Sequence, residues 1–243
     1  MNIYTTLKIG DHHVNHCEDY LMTSEIGTDR ILCAVMDGCS MGSDSYFAST
    51  LTGKILRKIS KEHCYREFAS KQSSDLKTSI EEIMSQLFRE LRFLKNTLLL
   101  AREEVLNTLL IGIIDTRHRA GEFLCIGDGL ISINSRLTEF EQNDKPDYLG
   151  YHLEEDFNNW YKNQQQRISA EGINDFSVAT DGIFTFKKFD NNIYQEPGNI
   201  VDYLLMDTAG SHNSNMLDRK LTEIQDEYGL KPTDDLAIIR GIL

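Results

Sequence analysis

The chain has 243 residues, 40% of them hydrophobic and 26% charged, which suits a globular core and excludes a wholly disordered chain. Its 3 prolines and 16 glycines exclude collagen-like and proline-rich architectures. Against 25 basic residues stand 38 acidic ones, a net charge of −13, and that balance argues against nucleic acid or an anionic membrane as a partner.

Met1 to Gly10 lacks the basic flank and apolar run of a signal peptide. The longest uncharged apolar stretch, Val105 to Ile114, is too short to span a bilayer. Cys17, Cys33, Cys39, Cys64 and Cys125 show no CxxC spacing, which predicts a reducing cytoplasmic setting and no structural zinc site.

In chain order, Ile31 to Met36 is a continuous apolar run that stops at Asp37-Gly38, and it reads as a buried strand. A helix is predicted from about Ser43 to His63, where Phe47, Leu51, Ile55, Leu56 and Ile59 recur at helical spacing. A second is predicted from Asp75 to Leu94, with Ile80, Ile83, Met84, Leu87, Phe88, Leu91 and Leu94 on one stripe. Both stripes read as core packing.

Three strands follow at short spacing: Thr108 to Ile114, Glu122 to Ile126, and Leu130 to Asn134. Their turns predict two successive hairpins and an antiparallel sheet. From Thr138 to Gln166 the chain turns polar and acidic, with a break at Lys145-Pro146-Asp147, and it reads as an irregular insertion. Phe176 to Thr180 is a strand that again stops at Asp-Gly, here Asp181-Gly182. Helices are predicted over Ile200 to Asp207 and Asn215 to Tyr228, and Leu236 to Ile239 closes the chain as a strand after Asp234-Asp235. No linker divides the chain, so a single domain over 1–243 is expected.

Acidic residues recur at strand ends: Glu18-Asp19 before Tyr20, then Asp37, Asp181 and Asp234-Asp235. A lone Asp beside Gly commonly marks a turn, since Asp caps turns and Gly accepts φ > 0. Several at the rim of a buried sheet would repel one another and raise their own pKa values. A hard divalent cation relieves that repulsion, and oxygen ligands suit Mg²⁺ or Mn²⁺ rather than zinc.

In this order the motifs resemble those of the PP2C-type metal-dependent protein phosphatases, from Glu18 to Ile239. They are Cys17-Glu18-Asp19-Tyr20, Ala34-Val35-Met36-Asp37-Gly38, Asn107-Thr108, Ile126-Gly127-Asp128-Gly129, Ala179-Thr180-Asp181-Gly182, and Asp234-Asp235 before the last strand. The resemblance implies an α+β fold, an antiparallel β-sandwich flanked by helices on both faces, with the metals at one end. It implies that Asp37 bridges two Mg²⁺ or Mn²⁺ ions, that the Gly38 carbonyl binds one, and that Asp181 and Asp234 complete the ligands. Glu18 and Asp19 would hold waters on the ions. Asp235, where the family has asparagine, would add negative charge beside Asp234. The implied reaction is in-line attack on a phosphoserine or phosphothreonine by a hydroxide that the two cations activate. The implied partner is a phosphoprotein, opposed by a cognate kinase.

Three further departures stand out. Val14 occupies the place of the family's phosphate-binding arginine, and His12, His13 or His16 could substitute. Cys39 stands where many members have histidine. Asp128 could serve a third ion, but Thr185 replaces the aspartate that would join it, which puts that ion in doubt. The segment at about 137–166 falls where bacterial members carry a flap. Its Tyr148, Tyr151, Trp160 and Tyr161 would either meet a protein substrate or pack on the sandwich. Val14, Cys39 and Thr185 also support an alternative, a pseudophosphatase that binds without efficient turnover.

Overall fold

The computed structural model describes residues 1–42, 44–71, 73–141, 147–190, 194–195 and 197–243. Two five-stranded antiparallel sheets lie face to face. One contains, in order, β1 (Asn2–Lys8), β12 (Leu236–Ile242), β9 (Asp175–Ala179), β6 (Gly129–Ile133) and β7 (Arg136–Phe140). The other contains β2 (Tyr20–Gly27), β3 (Arg30–Met36), β4 (Leu109–Asp115), β5 (Ala120–Ile126) and β8 (Arg167–Glu171). Helices α1 (Ser45–Ser70), α2 (Leu76–Thr97) and α3 (Phe157–Asn163) belong to the outer side of this second sheet. Helices α4 (Ile200–Leu205) and α5 (Met216–Tyr228) cover the first. A short pair, β10 (Phe186–Lys188) and β11 (Leu230–Pro232), flanks the sandwich.

The layering explains why β3 is apolar at every position from Ile31 to Met36. Leu32, Ala34 and Met36 pack outward among Ile55, Leu56, Ile59, Ile83 and Leu87 of α1 and α2. Cys33 and Val35 point inward, against Ile131, Val178, Ala237 and Ile239 of the facing sheet. β4 alternates likewise, with Ile111 and Ile113 outward and Leu110 and Ile114 inward. A strand covered on both faces cannot alternate apolar with polar, whether its neighbours are parallel or antiparallel. The exposed edge strand β1 does alternate, burying Tyr4 and Thr6 while Thr5 and Leu7 face solvent.

Several elements differ from the sequence expectation. β4 and β5 form the first expected hairpin, but the second does not exist, since β5 and β6 belong to different sheets. Gly127-Asp128-Gly129 carries the chain from one sheet to the other, and Gly127 takes φ +92°, which a side chain would oppose. β1 pairs with β12 over its whole length and has too mixed a composition to be evident beforehand. α1 continues past His63 to Ser70, where its last turns leave the core and expose Tyr65 and Phe68.

The segment expected to be irregular contains β7, a 3-10 turn at Leu149–Tyr151 and helix α3. Trp160 and Tyr161 are buried, and Trp160 packs 4.5 Å from the ring of Phe88 on α2. These two aromatics therefore belong to the core. Residues Lys145 and Pro146 of the expected break lie outside the described residues.

Candidate metal centre

At one end of the sandwich three strand termini converge. β3 ends at Met36, and Asp37 continues its pairing with the segment before β4. The Asp37 amide donates to Thr108 Oγ1 at 3.1 Å, and the Thr108 amide donates back to the Asp37 carbonyl at 2.8 Å. Gly38 then bridges to Asn107, and its amide donates to the Glu18 carbonyl at 3.1 Å. This fixes Asp37 beside the Glu18-Asp19 pair that precedes β2.

From the other sheet, β9 ends at Ala179 and β12 begins at Leu236. The Thr180 hydroxyl accepts from the Ala237 amide at 2.9 Å and donates to Asp19 Oδ2 at 2.7 Å. One buried side chain therefore joins β9, β12 and the approach to β2. Asp181 opens a 3-10 turn that lies directly on the Asp234-Asp235 loop. A Cβ on Gly182 would stand 1.8 Å from the Asp235 carbonyl oxygen, so only glycine permits this approach. Thr185 closes the same turn. Its hydroxyl donates to the Gly182 carbonyl at 2.8 Å and accepts from the Asp234 amide at 3.1 Å.

The residues expected from the sequence fall into distinct environments. The charges of Asp19, Asp181 and Asp234 converge on Asp37, and those of Asp128 and Asp234 on Asp181. Burial, and then the charges of Asp19, Asp181 and Asp234, hold the Asp37 carboxyl well above its usual range. Burial pushes Asp19 up to about 8, against the stabilising hydrogen bonds of Thr180 and Asp37, with Asp235 and Asp181 adding repulsion. Burial and the neighbouring Asp128 and Asp234 push Asp181 up to about 6. Burial also raises Asp128. Glu18 Oε2 is buried and has no hydrogen-bond partner among the described residues.

Asp235 differs from this set. Its Oδ1 accepts from the Gly10 amide at 2.7 Å, its Oδ2 accepts from the Glu18 amide, and His13 Nδ1 lies 2.8 Å from Oδ2. Protonation of His13 makes this contact an ion pair. Asp235 thus ties the β1–β2 loop down beside Asp234.

Of the three histidines, His13 is the one whose ring the described contacts set against the acidic residues, 2.8 Å from Asp235 and 3.8 Å from Asp234. His12 is exposed, with its amide bonded to the Thr233 carbonyl. His16 stacks on Tyr46, with ring centroids 4.2 Å apart. Val14 is 88% exposed. Cys39 is buried, and its amide is bonded to the Leu106 carbonyl.

Sequence reasoning missed the part of Thr180, and it read Thr185 only as a missing ligand. The signal was present in Ala179-Thr180-Asp181, where a hydroxyl stands between a buried strand and its acidic end. Sequence reasoning placed Tyr148 in a flap that would meet a protein substrate or pack on the sandwich, but not where its phenol lies, facing the Cys39 thiol with Asp37 and Asp128 among its charged neighbours.

The donor set is all oxygen, crowded and negative, which is the environment a hard divalent cation relieves. Among the described residues, no three His, Cys, Asp or Glu side chains form a group ready to hold a metal ion. Mg²⁺ does not require one, since it keeps several waters and takes one or two carboxylates. The unpartnered Glu18 oxygen and the raised aspartates fit such a hydrated ion.

A family model described as protein phosphatase 2C matches residues 9–223. The chain belongs to the protein phosphatase 2C family. Among curated proteins, none matches it. Among solved structures, a bacterial serine phosphatase is 11% identical, with a TM-score of 0.65 over 100% of this chain and 97% of its own. The serine/threonine phosphatase Stp1 from Staphylococcus aureus is 10% identical, with a TM-score of 0.59 over 100% of this chain and 95% of its own. RsbX in complex with magnesium is 18% identical, with a TM-score of 0.53 over 100% of this chain and 96% of its own. At such identities these PP2C relatives share the fold. Among the described residues, no helix is long and apolar enough to cross a membrane.

Proposed function

We propose that this PP2C-family chain is a Mg²⁺- or Mn²⁺-dependent phosphatase acting on phosphoserine and phosphothreonine in proteins. The observation that carries the reading is the convergence of Asp19, Asp37, Asp128, Asp181 and Asp234 at one end of the sandwich, where burial and neighbouring carboxylates raise Asp19, Asp37 and Asp181. Asp37, the Gly38 carbonyl, Asp181 and Asp234 would hold two ions. Glu18 and Asp19 would orient water around them, with Thr180 holding Asp19 in place. When bound, two such ions lower the pKa of a water and offset charge on phosphoryl oxygens. Asp128 would be the one protein carboxylate near a third ion, because Thr185 is engaged in ordering the Asp234 loop. Magnesium in the crystal structure of RsbX supports the choice of cation. A cytoplasmic setting and a cognate kinase fit the same reading.

The test is release of p-nitrophenol from p-nitrophenyl phosphate, and of phosphate from a phosphothreonine peptide, with Mn²⁺ and then with chelator. Metal-dependent turnover that disappears in Asp37→Ala and Asp181→Asn supports the proposal. Turnover no higher than in those variants would favour the second reading, a pseudophosphatase that only binds. The exposed Val14, in the family's arginine position, is the observation that supports that reading.

A further inference from the structure

The segment before α3 is held at the centre by its backbone, and it presents one side chain there. The Asp147 carbonyl lies against Gly127, where a Cβ would approach it to 2.7 Å. Two residues on, the Leu149 amide donates to the Asn107 carbonyl at 3.0 Å, and Asn107 is the residue bridged to Gly38. Tyr148 is therefore fixed between the Gly127-Asp128 turn and the Asp37-Gly38 strand end. His152 reinforces the position, with Nε2 2.7 Å from Asp147 Oδ1 and Nδ1 2.7 Å from Glu155 Oε1. The Tyr148 ring packs edge-on against Tyr151 at 5.5 Å, and the Arg102 guanidinium covers Tyr151 at 4.4 Å.

Among the described residues the phenol has no strong acceptor in this position. It faces the thiol of Cys39, a weak hydrogen-bond acceptor. A phenol ordinarily titrates at about 10, so at neutral pH it is a neutral donor. The charges that weigh most on Asp37 are carboxylates. A phosphate dianion at this end therefore needs donors beyond the cations, and Val14 supplies none.

We propose that Tyr148 binds the substrate's phosphoryl group, its hydroxyl turning from the Cys39 thiol to donate to a phosphoryl oxygen in place of the arginine that Val14 replaces. This rests on the phosphatase reading above and assigns its phosphate contact to the segment before α3. The ligand class is a phosphomonoester dianion, and inorganic phosphate is the smallest probe.

Tyr148→Phe keeps the ring and removes the donor. For Mn²⁺-loaded protein, isothermal titration with inorganic phosphate should show affinity reduced about tenfold or more, as expected for a hydrogen bond to a charged acceptor. KM for p-nitrophenyl phosphate should rise by a similar factor. Melting temperature and Mn²⁺ affinity should stay at wild-type values, which a merely structural role would not allow. Equal phosphate affinity in the two proteins overturns the proposal, as does a wild-type protein that binds no phosphate. A lower melting temperature with unchanged phosphate affinity also overturns it. Should the wild type bind phosphate but lack metal-dependent turnover, the phosphatase reading fails, and the titration still decides the role of Tyr148.

Discussion

Asp181→Asn separates the cost of the acidic cluster from its use. In metal-free protein the Asp181 carboxyl is pushed from 3.8 up to about 6, by burial first and then by Asp128 and Asp234. A carboxyl raised in the folded state binds more protons there than in the unfolded chain. Stability therefore falls as pH rises through the interval from 3.8 to about 6, and the full penalty applies above it. That interval corresponds to about 3 kcal/mol, an upper limit because the cluster can relax. The amide of Asn keeps the volume, and its oxygen can still accept from the backbone at the start of the 3-10 turn. In chelator at pH 7.5 the variant should therefore melt about 5–10 °C above wild type, on the scale expected for a domain of this size. The difference should shrink towards zero by about pH 4. Added Mn²⁺ should reverse the order, since a ligand at one hundred times its Kd stabilises by about 2.7 kcal/mol and the variant lacks one carboxylate to hold it. Calorimetric melts at pH 4, 5, 6 and 7.5, with chelator or with Mn²⁺, measure all of this. A metal-free variant less stable than wild type at pH 7.5 would refute the crowding argument, and a gap independent of pH would refute its electrostatic origin.

Three further perturbations test the scaffold around the cluster. Thr180→Val removes a buried hydroxyl that serves Asp19 and the Ala237 amide, so urea unfolding should show a loss of about 2–3 kcal/mol together with weaker Mn²⁺ binding. An unchanged midpoint would mean the two partners find water instead. Gly182→Ala places a methyl where the Asp235 carbonyl stands. The Asp234-Asp235 loop must move, and the stabilisation of the melt by Mn²⁺ should disappear while far-UV circular dichroism stays native. In His152, burial opposes the positive charge, but Asp147 and Glu155 outweigh it and raise the pKa above 6.5. The stabilising contribution is complete below about 6.5 and disappears as pH rises through the raised value. His152→Ala should then increase hydrogen exchange of the amides at 147–157 at pH 6 more than at pH 8, and an equal effect at both would remove the charge from the explanation.

The fold was most legible where burial leaves the composition no choice. Ile31 to Met36 reads as a strand because both of its faces are covered, and α2 shows its stripe because only one of its faces is. Legibility failed where neighbours rather than periodicity decide. β1 is an edge strand whose seven residues include only Tyr4 and Thr6 in the core, so its pattern resembles a loop until β12 supplies the ladder. The apparent second hairpin failed for a related reason. A short Gly-Asp-Gly turn between two apolar runs reads locally as a reversal within one sheet, yet the partners of β6 come from β7 and β9. Nothing within residues 122–134 encodes that choice.

The candidate site shows the same division at finer grain. The acidic residues were visible because a carboxylate at the end of a buried strand is costly and needs a reason. The groups that gather them were not visible, because Thr180, Gly182 and Thr185 are ordinary turn residues until their distances are known. Yet the convergence depends on them. Thr180 joins Asp19 to the β9–β12 ladder, and Gly182 lets the Asp181 turn rest on Asp235. Thr185 bonds the amide of Asp234. Replacing the family's second aspartate of a third-ion site by Thr185 thus exchanges a negative charge for a hydrogen bond that orders the neighbouring acidic loop. In a cluster whose carboxyls are already raised by burial and by their neighbours, one carboxylate fewer lowers the repulsion, and one hydroxyl more fixes the geometry. Under the proposed reading, the substitution would change how many ions the centre can hold rather than whether it holds any.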